Sequence, residues 1–249
     1  MAQYASDISG GNPLSVLAGS SGYTDSLVAS PSVIGGQSLQ IVTSGGAYAG
    51  EFSAVPNFAI GTTSASDFEV LILARVASVT NGKISIIIQD SSNFLECYVV
   101  RGNNFVAISI GASTTSASLG FSIADSTWYW LRLRKRTGTL YAQCWAYGST
   151  EPGTEAHSAA LAVTFTANEL AWYCANTSGS GSGTYNLDFI SAGTVGDTAP
   201  RAKKTDLYVR DGGLWKPVQD LSVRDGGIWK PVQQQHVRDA STWKKVYGS

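Results

Sequence analysis

Residues 126–152 read STWYWLRLRKRTGTLYAQCWAYGSTEP, two strand-length runs joined at Thr137-Gly138. In the first run Tyr129, Leu131 and Leu133 alternate with Trp130, Arg132 and Arg134. In the second, Leu140, Ala142, Cys144 and Ala146 alternate with Tyr141, Gln143, Trp145 and Tyr147. Successive side chains of a strand point to opposite faces of a sheet, so a period of two specifies a strand and fixes which residues share a face. Glycine at the joint tolerates the positive φ of a tight turn. The stretch is therefore a β-hairpin whose aliphatic set is the natural core. Trp130, Arg132, Arg134, Tyr141, Trp145 and Tyr147 are left to share the opposite, outer face.

The same pattern spreads outward from the hairpin. Strands are expected at SLQIVT (38–43), FEVLILARV (68–76), KISIIIQD (83–90), FLECYVVRG (94–102) and NFVAISIG (104–111), then at ELAWYCAN (169–176) and YNLDFISAG (185–193). Thr80-Asn81-Gly82 and Arg101-Gly102-Asn103-Asn104 carry turn residues between them. The polar TSGSGSGT (177–184) reads as a loop, since a strong strand follows it. Helical periodicity is nearly absent. Glycine numbers 27 and charged residues are only 14% of the chain, a balance that favours an all-β sandwich or barrel.

The end of the chain is a different kind of sequence. It reads LYVRDGGLWKPVQ (207–219), LSVRDGGIWKPVQ (221–233) and QHVRDASTWKKVYGS (235–249), with Val209, Val223 and Val237 fourteen residues apart. Asp-Gly-Gly between two apolar runs is a hairpin signal. Pro217 and Pro231 lack an N–H and fit only an edge or terminal strand position. The third copy loses both glycines (Ala240, Ser241) and the proline (Lys245), as an end cap would. Units this short cannot bury their own apolar faces, so they lean on each other, on the preceding domain or on another protein. The candidate assembly residues are Arg210, Trp215, Lys216, Arg224, Trp229, Lys230, Arg238, Trp243 and Lys244. The boundary falls in GTVGDTAPRAKK (193–204), giving a body over 1–195, a linker over 196–205 and three hairpin repeats over 206–249.

The WYWLR strand, its tight turn, the WAYGSTEP segment and the later YNLDFISAG together resemble the concanavalin A-like (laminin G-like) jelly roll of bacteriophage virion proteins. The opening MAQYASDISGGNPLS, with Tyr4 and Asp7 in a first strand and Pro13 after it, is similar to the start of such proteins, and the likeness extends over residues 1–193. The VRDGG(L/I)WKPV repeats resemble C-terminal modules of phage tail and other virion proteins. The resemblance implies an antiparallel jelly-roll sandwich followed by three short β-hairpins. It also implies a virion protein made in the host cytoplasm.

The outer face of the opening hairpin mixes aromatic rings with arginines, which suits a glycan, since sugars offer apolar C–H faces and hydroxyls together. The competing reading is that some of these aromatics belong to the inner layer or are covered by N-terminal loops. Asp188 and Asp7 sit in terminal strands that a jelly roll brings together, and two carboxylates there would suit a structural calcium. No dense Asp/Asn loop accompanies them, and a surface or turn-capping role is the favoured alternative; no metal or cofactor is assigned. Catalysis finds little support. His157 and His236 have no nucleophile partner, Glu151 and Glu155 share the loop EPGTE, and neither Glu69 nor Glu96 can be paired with a second carboxylate from sequence.

Cys97, Cys144 and Cys174 each lie in an apolar run without CxxC spacing and are expected to be buried free thiols. Residues 201–249 hold ten Lys/Arg and five Asp/Glu, a net of +5, against seven and thirteen in residues 1–200, a net of −6. The basic charges alternate with Asp, unlike the dense arms that bind nucleic acid, so no nucleic-acid partner is expected. The N-terminus has no basic n-region or apolar h-region, so no signal peptide is expected, and no run of eighteen apolar residues offers a membrane span.

The expected function is a non-enzymatic structural component of a tailed phage virion, tail-associated in preference to capsid decoration or a head fibre. Its partners would be other virion proteins and copies of itself, most simply as a trimer. The rival is a lectin-like protein that binds a host surface glycan, and a second rival is a glycan-degrading enzyme.

Overall fold

The protein, as a computed structural model, is described at residues 3–6, 8, 17–19, 23–34, 36–44, 48–53, 61–62, 67–90, 92–161, 164, 166–167, 169–177, 181–194, 198–200, 208–211, 214–217, 222–225, 228–231, 235–239 and 242–247. All regular structure among them is β. The body contains β1 (Gln3–Ser6), β2 (Leu17–Gly19), β3 (Tyr23–Val28), β4 (Ser38–Thr43), β5 (Tyr48–Ser53), β6 (Gly61–Thr62) and β7 (Phe68–Ala77). These are followed by β8 (Gly82–Gln89), β9 (Phe94–Val100), β10 (Phe105–Ile110), β11 (Ser113–Ser118), β12 (Tyr129–Arg136) and β13 (Thr139–Ala146). The last are β14 (His157–Ala160), β15 (Thr166–Ala167), β16 (Glu169–Asn176) and β17 (Gly183–Thr194).

Two antiparallel sheets form a jelly-roll sandwich. One has eight strands, in the order β14-β13-β12-β7-β17-β4-β3 with β1 also on β17; the other has seven, β11-β10-β9-β8-β16-β5-β2. The hairpin of 126–152 is β12–β13, with Trp130 opposite Trp145, Arg132 opposite Gln143 and Arg134 opposite Tyr141. Its turn places both Thr137 (φ 45°) and Gly138 (φ 77°) in the left-handed region, the two-residue geometry that matches strand twist. The strands that alternate cleanly in sequence are the ones found in the structure, within a few residues at their ends. Edge strands such as β3 (YTDSLV), β11 (STTSAS) and β14 (HSAA) had no such signal, because an exposed edge does not require alternate apolar residues.

The inner faces meet in one core: Ile72, Leu131, Leu133, Leu140 and Tyr185 from the first sheet against Ile84, Ile86, Leu95, Val99 and Trp172 from the second. Cys97, Cys144 and Cys174 are free thiols in this core, where desolvation pushes the Cys97 and Cys144 thiols well above their usual range. Gly183 leaves room for it: a Cβ there would lie 2.7 Å from the Tyr185 ring. Strand β7 is apolar on both sides, with Ile72 in this core and Leu71 and Leu73 in a second cluster on the outer face. Its unbroken apolar run therefore marks a strand covered twice.

Strand β17 is the longest, pairing along its whole length with β7 and on the other side with β4, then β1. Its register shifts between Leu187 and Phe189. The bulge puts Leu187 and Ile190 in the main core while Phe189 joins the outer cluster.

The chain divides into two compact units, Met1–Ala202 and Lys203–Ser249. Residues 198–200, part of the expected linker, are tied to the body. Ser191 Oγ donates to the Pro200 carbonyl (2.7 Å), and the Ala199 N–H donates to Glu69 Oε1 (3.2 Å). The second unit holds β18 (Tyr208–Asp211) with β19 (Leu214–Pro217), β20 (Ser222–Asp225) with β21 (Ile228–Pro231), and β22 (Gln235–Asp239) with β23 (Thr242–Tyr247). Arg210, Arg224 and Arg238 pair with Trp215, Trp229 and Trp243 at the same place in each ladder. The first two ladders stop at Pro217 and Pro231, which lack the N–H to continue. The third has Lys245 there and its strand runs on to Tyr247. The side chains of the assembly set lie outside what is described.

Candidate functional site

On the outer face of the eight-stranded sheet, the hairpin's aromatic half is packed away. Trp130 and Trp145 stack at 6.2 Å, Tyr147 lies 6.4 Å from Trp130, and Phe189 meets Trp130 edge-on at 5.7 Å. Leu71, Leu73, Trp128 and Ala199 complete the cluster, with Val33 and Ile34 packed against it. Trp145 is left 5% exposed. Trp145 is covered, with residues 33–34 and 199, from far away in the sequence, packed on the cluster, while Trp130, Tyr141 and Tyr147 stay half-buried.

The charged half of that face is a network. Arg132, 3% exposed, donates Nη1 to Glu151 and Nη2 to Glu155 (2.9 Å), and its guanidinium lies over the Trp145 ring at 5.6 Å. Arg134 reaches Glu69 through Nε (2.6 Å) and Glu155 through Nη1 (3.0 Å). Gln143 Nε2 donates to the Thr154 carbonyl (2.6 Å) and pins the same loop. Glu69, which the sequence left without a carboxylate neighbour, therefore shares Arg134 with Glu155. All three glutamates are engaged by guanidinium groups. Arg132→Ala is expected to lower the stability of the body by about 2 kcal/mol in urea unfolding; full burial would make the loss larger, but Glu151 is one-third exposed. Arg132→Lys should recover less than half of that loss, because lysine cannot fork between two carboxylates.

Asp188 is the bulge residue and is fully buried. Ser32 Oγ donates to Oδ1 (2.7 Å), and the Val33 and Ile34 N–H groups both donate to Oδ2 (2.8 Å each). This is a turn-capping role, and the surface role is corrected, since the carboxylate is buried under the segment it holds. Asp7 lies outside the described residues. His157 Nε2 is 2.9 Å from Thr115 Oγ1 and holds β14 to β11, and desolvation there lowers its pKa. At the end of the hairpin a cavity of about 630 Å³ is lined by Phe121, Tyr129, Gln143, Trp145, Thr154 and Glu155. Phe121, 37% exposed, stacks on Tyr129 at 5.9 Å there.

The outer face of the seven-stranded sheet is a different surface, and its residues were not singled out from sequence. Lys83 Nζ pairs with Glu96 Oε1 at 2.7 Å and lies between the rings of Tyr98 (5.0 Å) and Tyr173 (4.9 Å). Phe105 meets Tyr98 edge-on at 6.4 Å. Ser109 and Thr114 hydroxyls bond each other at 2.8 Å on the neighbouring strands. Lys83, Glu96, Tyr98, Phe105, Ser109 and Thr114 border a depression of about 660 Å³, with Asn81, Phe94, Asn103 and Thr177 around it. The signal was present: Lys83, Ser85 and Ile87 alternate with Ile84, Ile86 and Ile88, as Glu96 and Tyr98 do with Leu95, Cys97 and Val99. Short turns join these strands into a meander, so their outward residues fall side by side.

No family model matches the chain, and no curated protein matches it in sequence. Among solved structures, an endo-β-1,4-glucuronan lyase from the fungus Trichoderma reesei is similar at 11% identity and a TM-score of 0.52, over 73% of this chain and 91% of that one. A protein of unknown function from Shewanella oneidensis is similar at 18% identity and a TM-score of 0.51, over 81% of this chain and 89% of that one. At these identities the likeness is one of fold, an all-β jelly-roll sandwich.

Proposed function

We propose that the protein is a non-enzymatic structural component of a tailed bacteriophage virion, its jelly-roll body displayed outward and its C-terminal hairpins holding it to other virion proteins. Attachment at the tail is favoured over capsid decoration or a head fibre. The observation that carries this is the repeat unit: three ladders that share the Arg–Trp register, each paired, among the described residues, only within itself. A lone two-stranded hairpin is marginal in water, so three in series need a surface to lie against. Copies of the chain, most simply three, would multiply weak single contacts into firm attachment. The commitment of Glu69, Glu151 and Glu155 to arginines supports a body without catalytic carboxylates.

The test is made in the full chain. Replacing Trp215, Trp229 and Trp243 together with alanine is expected to leave particles without the protein, while the body unfolds at an unchanged urea midpoint. Incorporation at the normal level would overturn the assembly role. A second reading, recognition of a host surface carbohydrate, is favoured by the aromatic and polar depression on the seven-stranded sheet. It is compatible with the first.

A further inference from the structure

We propose that the outer face of the seven-stranded sheet binds a neutral oligosaccharide, laid across β8, β9, β10 and β11. This rests on the carbohydrate-recognition reading and gives it a location and a ligand class. It moves the site away from the β12–β13 hairpin, whose aromatic rings are already spent on packing.

Register puts the floor together. Thr114, Ser109 and Glu96 are successive cross-strand partners in one row, and Tyr98 is opposite Ser85 in the next. With strands about 4.8 Å apart, four of them span about 14 Å, which suits an extended ligand better than a small ion. A volume of about 660 Å³ is that of an ordinary small-molecule site.

The chemistry is that of a sugar. A pyranose ring shows C–H groups on its faces and hydroxyls at its rim. Tyr98, Phe105 and Phe94 supply ring surface, and Phe94 is 36% exposed. Asn81, Asn103, Ser109, Thr114 and Thr177 supply neutral donors and acceptors. Glu96 adds a strong acceptor whose position is fixed by Lys83. Held in place before binding, these groups lose little entropy when a ligand arrives.

Charge selects the class. Lys83 and Glu96 are the charged residues lining the depression, and they neutralise each other. Among the described residues, no other cation lines the depression to balance a uronate, sialate or phosphate against Glu96. An added peptide strand could pair only along the edge strand β11 and would leave the floor over β8, β9 and β10 uncovered, since these three each have neighbours on both sides.

The test uses the full chain and defined trisaccharides: maltotriose, cellotriose and chitotriose as neutral probes, trigalacturonate and sialyllactose as acidic ones. At least one neutral probe is expected to bind, with the acidic ones at least tenfold weaker. Tyr98→Ala and Phe105→Ala should each weaken binding about tenfold or more. Thr114→Glu, on an exposed strand that tolerates the change, should do the same without altering the unfolding midpoint. Phe121→Ala, in the cavity at the end of the hairpin, should change nothing. Absence of neutral binding, a preference for acidic probes, or loss only in Phe121→Ala would overturn the proposal. Incorporation of Tyr98→Ala into particles is expected to be normal, so a failure here is distinct from a failure of the assembly role.

Discussion

Asp188→Ala is expected to destabilise the body by about 3–5 kcal/mol, seen as a lower urea midpoint with an unchanged slope. The carboxylate accepts three hydrogen bonds from the 32–34 segment, and no solvent reaches it to compensate. Removing it orphans the Val33 and Ile34 N–H groups, and each buried unpaired donor costs about 1–3 kcal/mol. It also loosens Val33 and Ile34, which roof the Trp130–Trp145 cluster. Asp188→Asn should cost only about 1 kcal/mol. One amide oxygen can accept from both backbone donors, and the amide nitrogen can donate to Ser32 Oγ, which reverses its role. A loss below 1 kcal/mol for the alanine variant would mean that the loop does not depend on the bulge.

That single residue also shows where sequence stops being legible. The β12–β13 hairpin was readable in full, including its register, because alternation and turn are both local. Which of its faces would be open was not. The roof over Trp145 is built from Val33, Ile34, Phe189 and Ala199, brought together by a bulge and by hydrogen bonds that span over a hundred residues. Alternation marks two faces but is silent on what covers the second. The same holds for the arginines: Arg132 and Arg134 were placed side by side correctly, yet Glu69 reaches Arg134 across 65 residues of chain. On the opposite sheet the missing step was smaller. Lys83, Glu96 and Tyr98 lie in consecutive strands, and only Tyr173 arrives from a distance, through the pairing of β16 with β8. The repeats were the easiest feature, since a two-glycine joint and a proline fix the start and finish of the first two ladders locally.

Trp172→Ala is expected to cost about 3–5 kcal/mol, the usual loss when a large aromatic leaves a packed core. Trp172 has no exposed surface and is the largest side chain fully inside the body's core. Trp172→Phe makes the sharper measurement. The indole Nε1 has no acceptor among the described residues, so the tryptophan carries a buried donor that gains nothing. Phenylalanine gives up part of the packing but removes that donor, which offsets about 1–3 kcal/mol of the loss. The net cost should therefore be under about 1.5 kcal/mol, well short of the alanine value. The two variants also separate core from site. Tyr173 follows Trp172 on β16 and faces Lys83 on the outer side, so its position depends on how well β16 is seated. Neutral-sugar binding should survive Trp172→Phe and weaken in Trp172→Ala well below the unfolding midpoint. If phenylalanine costs as much as alanine, retained volume does not govern the site, and the indole N–H makes an interaction that the substitution removes.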